Sequence, residues 1–170
     1  MNFELRHFFP CDSATLWSVI HDPAYQEAAN QGVEIDRETL EDRTVAGVRT
    51  LRVRYKPRKP LPSPVARALG TETLSYVMEQ RWTLHPPQHM RWTLTPDVGA
   101  ERVRCRGELK VQALGDDECE RLITGELTVS IPIVGGKIEQ KVIEEVKASY
   151  VRSAATLREW VIRRKTESAP

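Results

Sequence analysis

The sequence predicts an α+β domain in which one strand and two short helices precede a six-strand antiparallel meander, and one long terminal helix covers the sheet. Three observations carry this. Most of residues 33–131 fall into period-2 segments separated by Gly, Pro and Asp turn residues. Residues 137–164 contain neither Pro nor Gly and repeat apolar side chains every three or four positions. The opening residues, up to Asn30, hold one alternating strand and two helical stretches, too little for a repeating βαβ array.

The chain has 170 residues, a length that suits one compact domain, expected over residues 1–165 with a disordered tail at 166–170. Lys and Arg number 25 against 24 Asp and Glu, a net charge of +1, so no basic excess argues for nucleic acid. With 29% charged and 40% hydrophobic residues, the composition is ordinary for a globular protein. No apolar run approaches the ~20 residues that span a bilayer. Glu4 and Arg6 stand where a secretory leader has its apolar stretch. Cys11, Cys105 and Cys119 are odd in number and lack metal-ligand spacing, which argues against a disulfide scaffold and a zinc module. The expectation is a cytoplasmic protein with no metal and no cofactor.

Phe3, Leu5, His7 and Phe9 alternate with Asn2, Glu4, Arg6 and Phe8, a strand that Pro10 ends. Asp12 or Ser13 caps a short helix with Leu16, Trp17, Val19 and Ile20 on its apolar stripe; Asp22-Pro23 breaks it, and 24–30 forms a second short helix before Gly32. Strands are expected at 33–43, 45–55, 71–84, 90–95, 101–114 and 119–131. Turn residues separate them near Val45-Ala46-Gly47, and at His85-Pro86-Pro87, Pro96-Asp97-Val98-Gly99 and Gly115-Asp116-Asp117. The last two separators are short enough for hairpins. In the last two strands, Val103, Cys105, Gly107, Leu109, Val111 and Ala113, then Ile123, Gly125, Leu127, Val129 and Ile131, oppose polar neighbours, so one face is covered and one is wet. The cover is the terminal helix, whose stripe is Ile138, Val142, Val146, Tyr150, Ala154, Leu157 and Val161. At 1.5 Å per residue it is roughly 40 Å long, enough to cross the sheet.

This order of elements is that of the helix-grip fold. The opening Phe8-Phe9-Pro10, Ala14-Thr15-Leu16-Trp17 and Asp22-Pro23-Ala24-Tyr25 resembles START-like (SRPBCC, Bet v 1-like) proteins. The run from Val129-Ser130-Ile131-Pro132-Ile133-Val134-Gly135-Gly136 to Lys137-Ile138-Glu139, with Glu79-Gln80-Arg81-Trp82, resembles a bacterial START-like branch known as a domain of unknown function. The resemblance covers residues 1–164. It implies a curved seven-stranded sheet and a hydrophobic cavity under the terminal helix. Superfamily members bind or transfer lipids, sterols and other apolar molecules, and some catalyse cyclisations or hydroxylations; the fold does not choose among these.

On that reading the covered face supplies the lining. Strand parity turns Leu51, Val53 and Tyr55 inward, then Tyr76, Met78 and Trp82, then Trp92 and Leu94, then Cys105, Gly107 and Leu109, then Gly125 and Leu127. The helix adds Val142, Val146, Tyr150 and Leu157. Gly107 and Gly125 read either as a cavity floor or as a bend that lets the helix pack closely. His7 faces inward, either as a satisfied core histidine or as a polar anchor for a ligand. Arg49 shares the parity of Leu51 and reads as a rim residue reaching solvent. His21, His85 and His89 read as surface. Cys105 reads as an inert core thiol. No catalytic residue is assigned, since no nucleophile elbow, zinc helix or phosphate loop is present.

Residues 56–70 form the one unusual connection. Pro57, Pro60, Pro62 and Pro64 stiffen its first half, and Pro64 starts a short helix ending at Gly70. It reads either as an ordinary loop or as a gate in which Arg58, Lys59, Leu61, Val65 and Leu69 touch an anionic membrane. The functional expectation is a protein that binds and carries a lipid, sterol or similar hydrophobic molecule, with transient membrane contact and no nucleic acid. The alternatives are a cyclase or hydratase using His7 and Arg49, and a protein-interaction module with a filled core.

Overall fold

The structure, a computed structural model, describes residues 1–84 and 89–167. Its elements follow the chain as β1 (Asn2–Phe9), α1 (Ser13–Ile20), α2 (Pro23–Ala29), β2 (Ile35–Val45), β3 (Val48–Pro57), α3 (Ser63–Leu69), β4 (Tyr76–Thr83), β5 (His89–Pro96), a 3₁₀ turn at Ala100–Arg102, β6 (Val103–Ala113), β7 (Cys119–Val129) and α4 (Gly135–Glu167). Local chemistry explains the breaks. The Asp12 carboxylate accepts the Thr15 N–H at 2.8 Å and caps α1. Asp22 does the same for α2 through the Ala24 N–H at 2.9 Å, with Pro23 at the first helical position. Ala46 and Gly47 both take positive φ, the two-residue turn that matches the twist of the β2–β3 hairpin.

All strand pairs are antiparallel, in the order β1-β7-β6-β5-β4-β3-β2. The last six strands form a meander, and β1 closes onto β7 at the far edge. One extra residue, Leu40, bulges β2 between Thr39 and Glu41. Opposite partners share a face, so Phe3, Leu5, His7 and Phe9 stand on the inner face with Gly125, Ile123, Arg121 and Cys119. The same face continues through Leu109, Gly107 and Cys105 to Met90, Trp92 and Leu94, then to Trp82, Gln80 and Met78, and on to Arg49, Leu51 and Val53.

The curved seven-stranded sheet, the two short helices after β1 and the long terminal helix agree with the expected architecture. Three details differ. β4 starts at Tyr76 rather than Thr71. The β2–β3 turn follows Val45, which closes β2 instead of opening β3. α4 runs to Glu167, so the expected tail is helical at Thr166 and Glu167, while 168–170 lie outside the described residues, as does the His85-Pro86-Pro87 turn.

The phase of α4 also needs correction. Its buried positions after Gly135 are Ile143, Ala154, Leu157 and Val161, whereas Val142 is exposed. Spacing by fours drifts around a helix of 100° per residue. Position 143 lies three turns below Ala154, within about 20° of it, but position 142 is about 120° away. Glu139 fixes the start of α4 by accepting the Val129 N–H at 2.8 Å. Arg158 and Lys165 fix its end by donating to the carbonyls of Phe8 and Pro10 at 3.2 and 3.0 Å.

Candidate functional site: a cleft with a buried guanidinium

The inner face has two regions. Over β1, β7 and β6 it is closed, because α4 packs along β7 and β1 and against α1 and α2. Leu109 and Leu127 are buried there with Phe9, Ile123, Leu16 and Leu157, and Trp82 and Trp92 belong to the same core. These five expected lining residues (Trp82, Trp92, Leu109, Leu127, Leu157) are therefore packing residues, since close-packed neighbours already fill the space beside them. Over β3, β4 and β5 the face opens. Leu51, Val53, Tyr55, Tyr76, Met78 and Leu94, with Cys105 of β6, are only half-buried, and so are Val146 and Tyr150 across from them on α4. Val142 points away to solvent.

Gly107 and Gly125 do not floor this cleft. The space a Cβ would take is occupied by the Trp92 ring and the Thr124 carbonyl at Gly107, and by the Phe3 ring at Gly125. The two rings stack at 6.3 Å. Behind them, on the outer face, lies an open hollow of about 720 Å³ lined by charged side chains, among them Arg106, Glu126, Arg91 and Glu108. Those four pair across strands, Arg106 with Glu126 and Arg91 with Glu108, so the rim of the hollow is charged while its floor, at Phe3, Trp92, Gly107 and Gly125, is largely apolar.

The polar groups of the interior form two sets, at opposite ends of the strands, that are joined through Tyr150. Tyr55 and Tyr76 stack at 5.3 Å on the sheet side of the cleft. Burial raises the phenol pKa of both, Tyr76 to about 12, so they stay neutral hydrogen-bond donors. Burial likewise raises Tyr150, and Arg121, Tyr55, Tyr25 and Cys105 all act on it, so this α4 residue links the sheet to α2. The Tyr25 hydroxyl donates to the Ser153 carbonyl at 3.4 Å.

His7 and Arg121, on β1 and β7, form the second set. Arg121 is 3% exposed, with Nη2 donating to the Tyr150 backbone carbonyl at 3.4 Å and lying 3.5 Å from His7 Nδ1. Its guanidinium stacks on the rings of Phe9 and Tyr150 at 5.5 and 5.4 Å. Burial, then the positive charges of Arg121 and Arg158, push the His7 pKa down to about 4, so the imidazole is neutral at pH 7. Arg121 was not anticipated, although one more step of the β7 alternation, N-terminal to Ile123, places it inside. Tyr25 carries no comparable signal, being a lone aromatic on a two-turn helix.

Other sequence candidates sit elsewhere. Arg49 is held by Asp42, with Nε and Nη2 donating at 2.9 and 2.8 Å, and its guanidinium lies over Trp82 at 5.2 Å. His21 is not a surface residue. Its ring lies tilted against those of Trp17 and Trp82 at 4.6 and 4.8 Å, its Nδ1 2.9 Å from the Trp17 carbonyl, because the end of α1 packs onto the β4 indole. His89 lies on β5, half-buried, 3.1 Å from Glu108, and His85 is outside the described residues. His7 and Arg49 thus have separate partners. Cys105 faces the cleft with its thiol pKa pushed by burial to about 11. In the 56–70 connection, Arg58 pairs with Asp36, Lys59 is exposed, and Leu61, Val65 and Leu69 are half-buried, with Leu69 packed against the core.

A family described as protein of unknown function (DUF2505) matches residues 4–161. No curated protein matches the chain in sequence. Among solved structures, TTHA0849 from Thermus thermophilus superposes with a TM-score of 0.65 at 15% identity, covering 99% of this chain and 100% of that one. The Zhui aromatase/cyclase from Streptomyces sp. R1128 gives 0.65 at 14% identity, with 96% and 94% covered. A START superfamily protein from Mycobacterium smegmatis gives 0.59 at 14% identity, with 95% and 97% covered. The chain belongs to the DUF2505 family, whose match runs from β1 to the buried end of α4, and it has the helix-grip fold of START-like proteins.

Proposed function

We propose that the protein binds and carries a small hydrophobic molecule of the lipid or sterol class in the cleft between β3–β5 and α4. The observation that carries this reading is the split of the inner face. Side chains as large and apolar as Leu51, Val53, Met78 and Leu94 stay half-buried while the neighbouring strands are closed. Water-facing apolar side chains in a concave site are what an apolar ligand covers, at about 25 cal/mol per Å² before the costs of binding. Tyr55, Tyr76 and Tyr150 supply polar handles.

The 56–70 connection is the proposed gate, with Lys59 and Arg58 meeting an anionic membrane during exchange. Three free cysteines fit a reducing, cytoplasmic setting. Among the described residues, no helix is long and apolar enough to cross a membrane.

Native mass spectrometry of gently purified protein, with organic extraction of what is bound, tests the proposal. A discrete mass excess identified as lipid or sterol is expected. A protein that purifies clean and takes up no neutral apolar probe overturns it. Cyclase-type chemistry is a second reading, favoured by one observation, the neutral His7 beside Arg121. It requires turnover that His7→Gln abolishes while binding persists.

A further inference from the structure

Glu120 and Arg121 are adjacent, similarly buried and oppositely treated. Glu120 points to the outer face and pairs with Arg6 at 3.4 Å. Arg121 points to the inner face and has no carboxylate partner among the described residues. Its contacts to the Tyr150 carbonyl and the His7 imidazole are long, 3.4 and 3.5 Å, and its Nε is buried with no hydrogen-bond partner among the described residues. The Tyr25 hydroxyl hydrogen-bonds the guanidinium and Tyr150 acts on it electrostatically, but both are neutral phenols and leave the positive charge unbalanced. A buried guanidinium whose charge no carboxylate balances costs stability. Folding alone does not need it, because an apolar side chain of the same volume would pack against Phe9 and Tyr150.

Its position shows what it serves. The ring of Tyr150 lies on the guanidinium, and the same tyrosine is half-buried at the cleft, coupled to Tyr55 and Cys105. Tyr150 therefore joins the open cleft to a fixed cation on the closed side of the inner face, beside Tyr25. His7 is neutral at pH 7, so the positive charge on that side belongs to Arg121, whose guanidinium stays protonated even when buried.

We infer that the ligand of the cleft is an acid: an apolar body lies along β3–β5, and one anionic oxygen group, a carboxylate or phenolate, is bound by Arg121. This rests on the cleft-binding reading above and narrows it to a chemical class. A planar guanidinium with an unpartnered Nε suits the two oxygens of a carboxylate.

A matched pair of fluorescent probes tests it: 1-anilinonaphthalene-8-sulfonate and its neutral parent N-phenyl-1-naphthylamine, which differ only by the anionic group. The wild-type protein is expected to bind the sulfonate at least about tenfold more tightly. Arg121→Met is expected to reduce that preference to within about threefold while the neutral probe binds as before. Arg121→Lys, which keeps the charge, retains part of the preference and serves if the Met variant does not fold. Displacement by dodecanoate against 1-naphthoate tells an alkyl acid from an aromatic one, and either supports the inference. No preference in the wild type, a preference that survives Arg121→Met, or displacement by dodecanol but neither acid overturns it. Neutral-probe binding without preference defeats the acid inference alone; no binding of either probe defeats the cleft reading with it.

Discussion

Gly107 of β6 stands directly opposite Gly125 of β7, and the rings of Trp92 and Phe3 occupy the space where their side chains would be. The pair leaves room for two large rings to lie directly on the sheet's own backbone. Gly107→Ala and Gly125→Ala are each expected to lower unfolding free energy by about 2 kcal/mol or more, since the added carbon must push a ring or a carbonyl aside. Gly115→Ala, in open space, is the control. Urea unfolding measures all three, and equal stability across the set would refute the packing role.

His7 makes stability depend on pH. Its pKa falls from 6.5 to about 4 on folding, so between these values the unfolded chain binds a proton that the folded one does not. Stability therefore drops as pH falls from 6.5 toward 4. Each pKa unit is worth about 1.4 kcal/mol, and solvent near the site reduces the sum, so a loss of about 1–2 kcal/mol is expected. His7→Gln removes this component. The stability difference between parent and variant should be constant above pH 7 and should shift in favour of the variant below 6.5. A difference that does not change with pH would contradict the assignment.

Thiol reactivity separates the three cysteines. Cys11 and Cys119 are wholly buried with their sulfurs 3.9 Å apart, and Cys105 is half-buried in the cleft with a pKa of about 11. At pH 8 about one Cys105 thiol in a thousand is ionised. N-ethylmaleimide is expected to modify Cys105 slowly and alone, and more slowly still with a bound cleft probe. Peptide mass spectrometry identifies the site. Early labelling of Cys11 or Cys119 in native protein would show that the β1–α1 junction opens more easily than its packing implies.

The phase of α4 has its own test. Ile143→Ala, which empties a buried site, is expected to cost about 2–4 kcal/mol. Val142→Ala, one position away and exposed, is expected to change stability by less than about 0.5 kcal/mol. Reversal of that order would restore the stripe expected from the sequence.

Membrane contact can be read from charge reversal. Arg58→Glu with Lys59→Glu is expected to weaken sedimentation with anionic phosphatidylserine vesicles severalfold and to leave thermal unfolding nearly unchanged, since exposed pairs such as Arg58–Asp36 contribute little to stability. Unaltered sedimentation would leave the gate without a membrane role.

The sheet was legible because alternation has an unambiguous period and turn residues mark its breaks. Parity put Tyr55, Tyr76, Met78 and Leu94 on the face that the register shows they share. Two kinds of information were not local. Whether an inward residue is packed or lines a cleft depends on where α4 lies, so Leu157 and Met78 look alike in the sequence although one is buried and the other half-buried. Arg121 lies within the strand expected at 119–131, but a charged residue at an inward position breaks the apolar alternation, and this hid it. His21 looked superficial because a helix terminus usually is; only the packing of α1 onto β4 puts an indole on each side of it.

The closure of β1 onto β7 sets a delay during biosynthesis. β1 is complete at Phe9, but its partner begins at Cys119. At the usual 5–20 residues per second, translation of the interval takes roughly 5–20 s. Over that time Phe3, Leu5 and Phe9 leave the ribosome with no strand to pair with and no helix to cover them. The nascent N-terminal segment is therefore the place where a holdase would act, and where crowding of unfinished chains would first lead to aggregation.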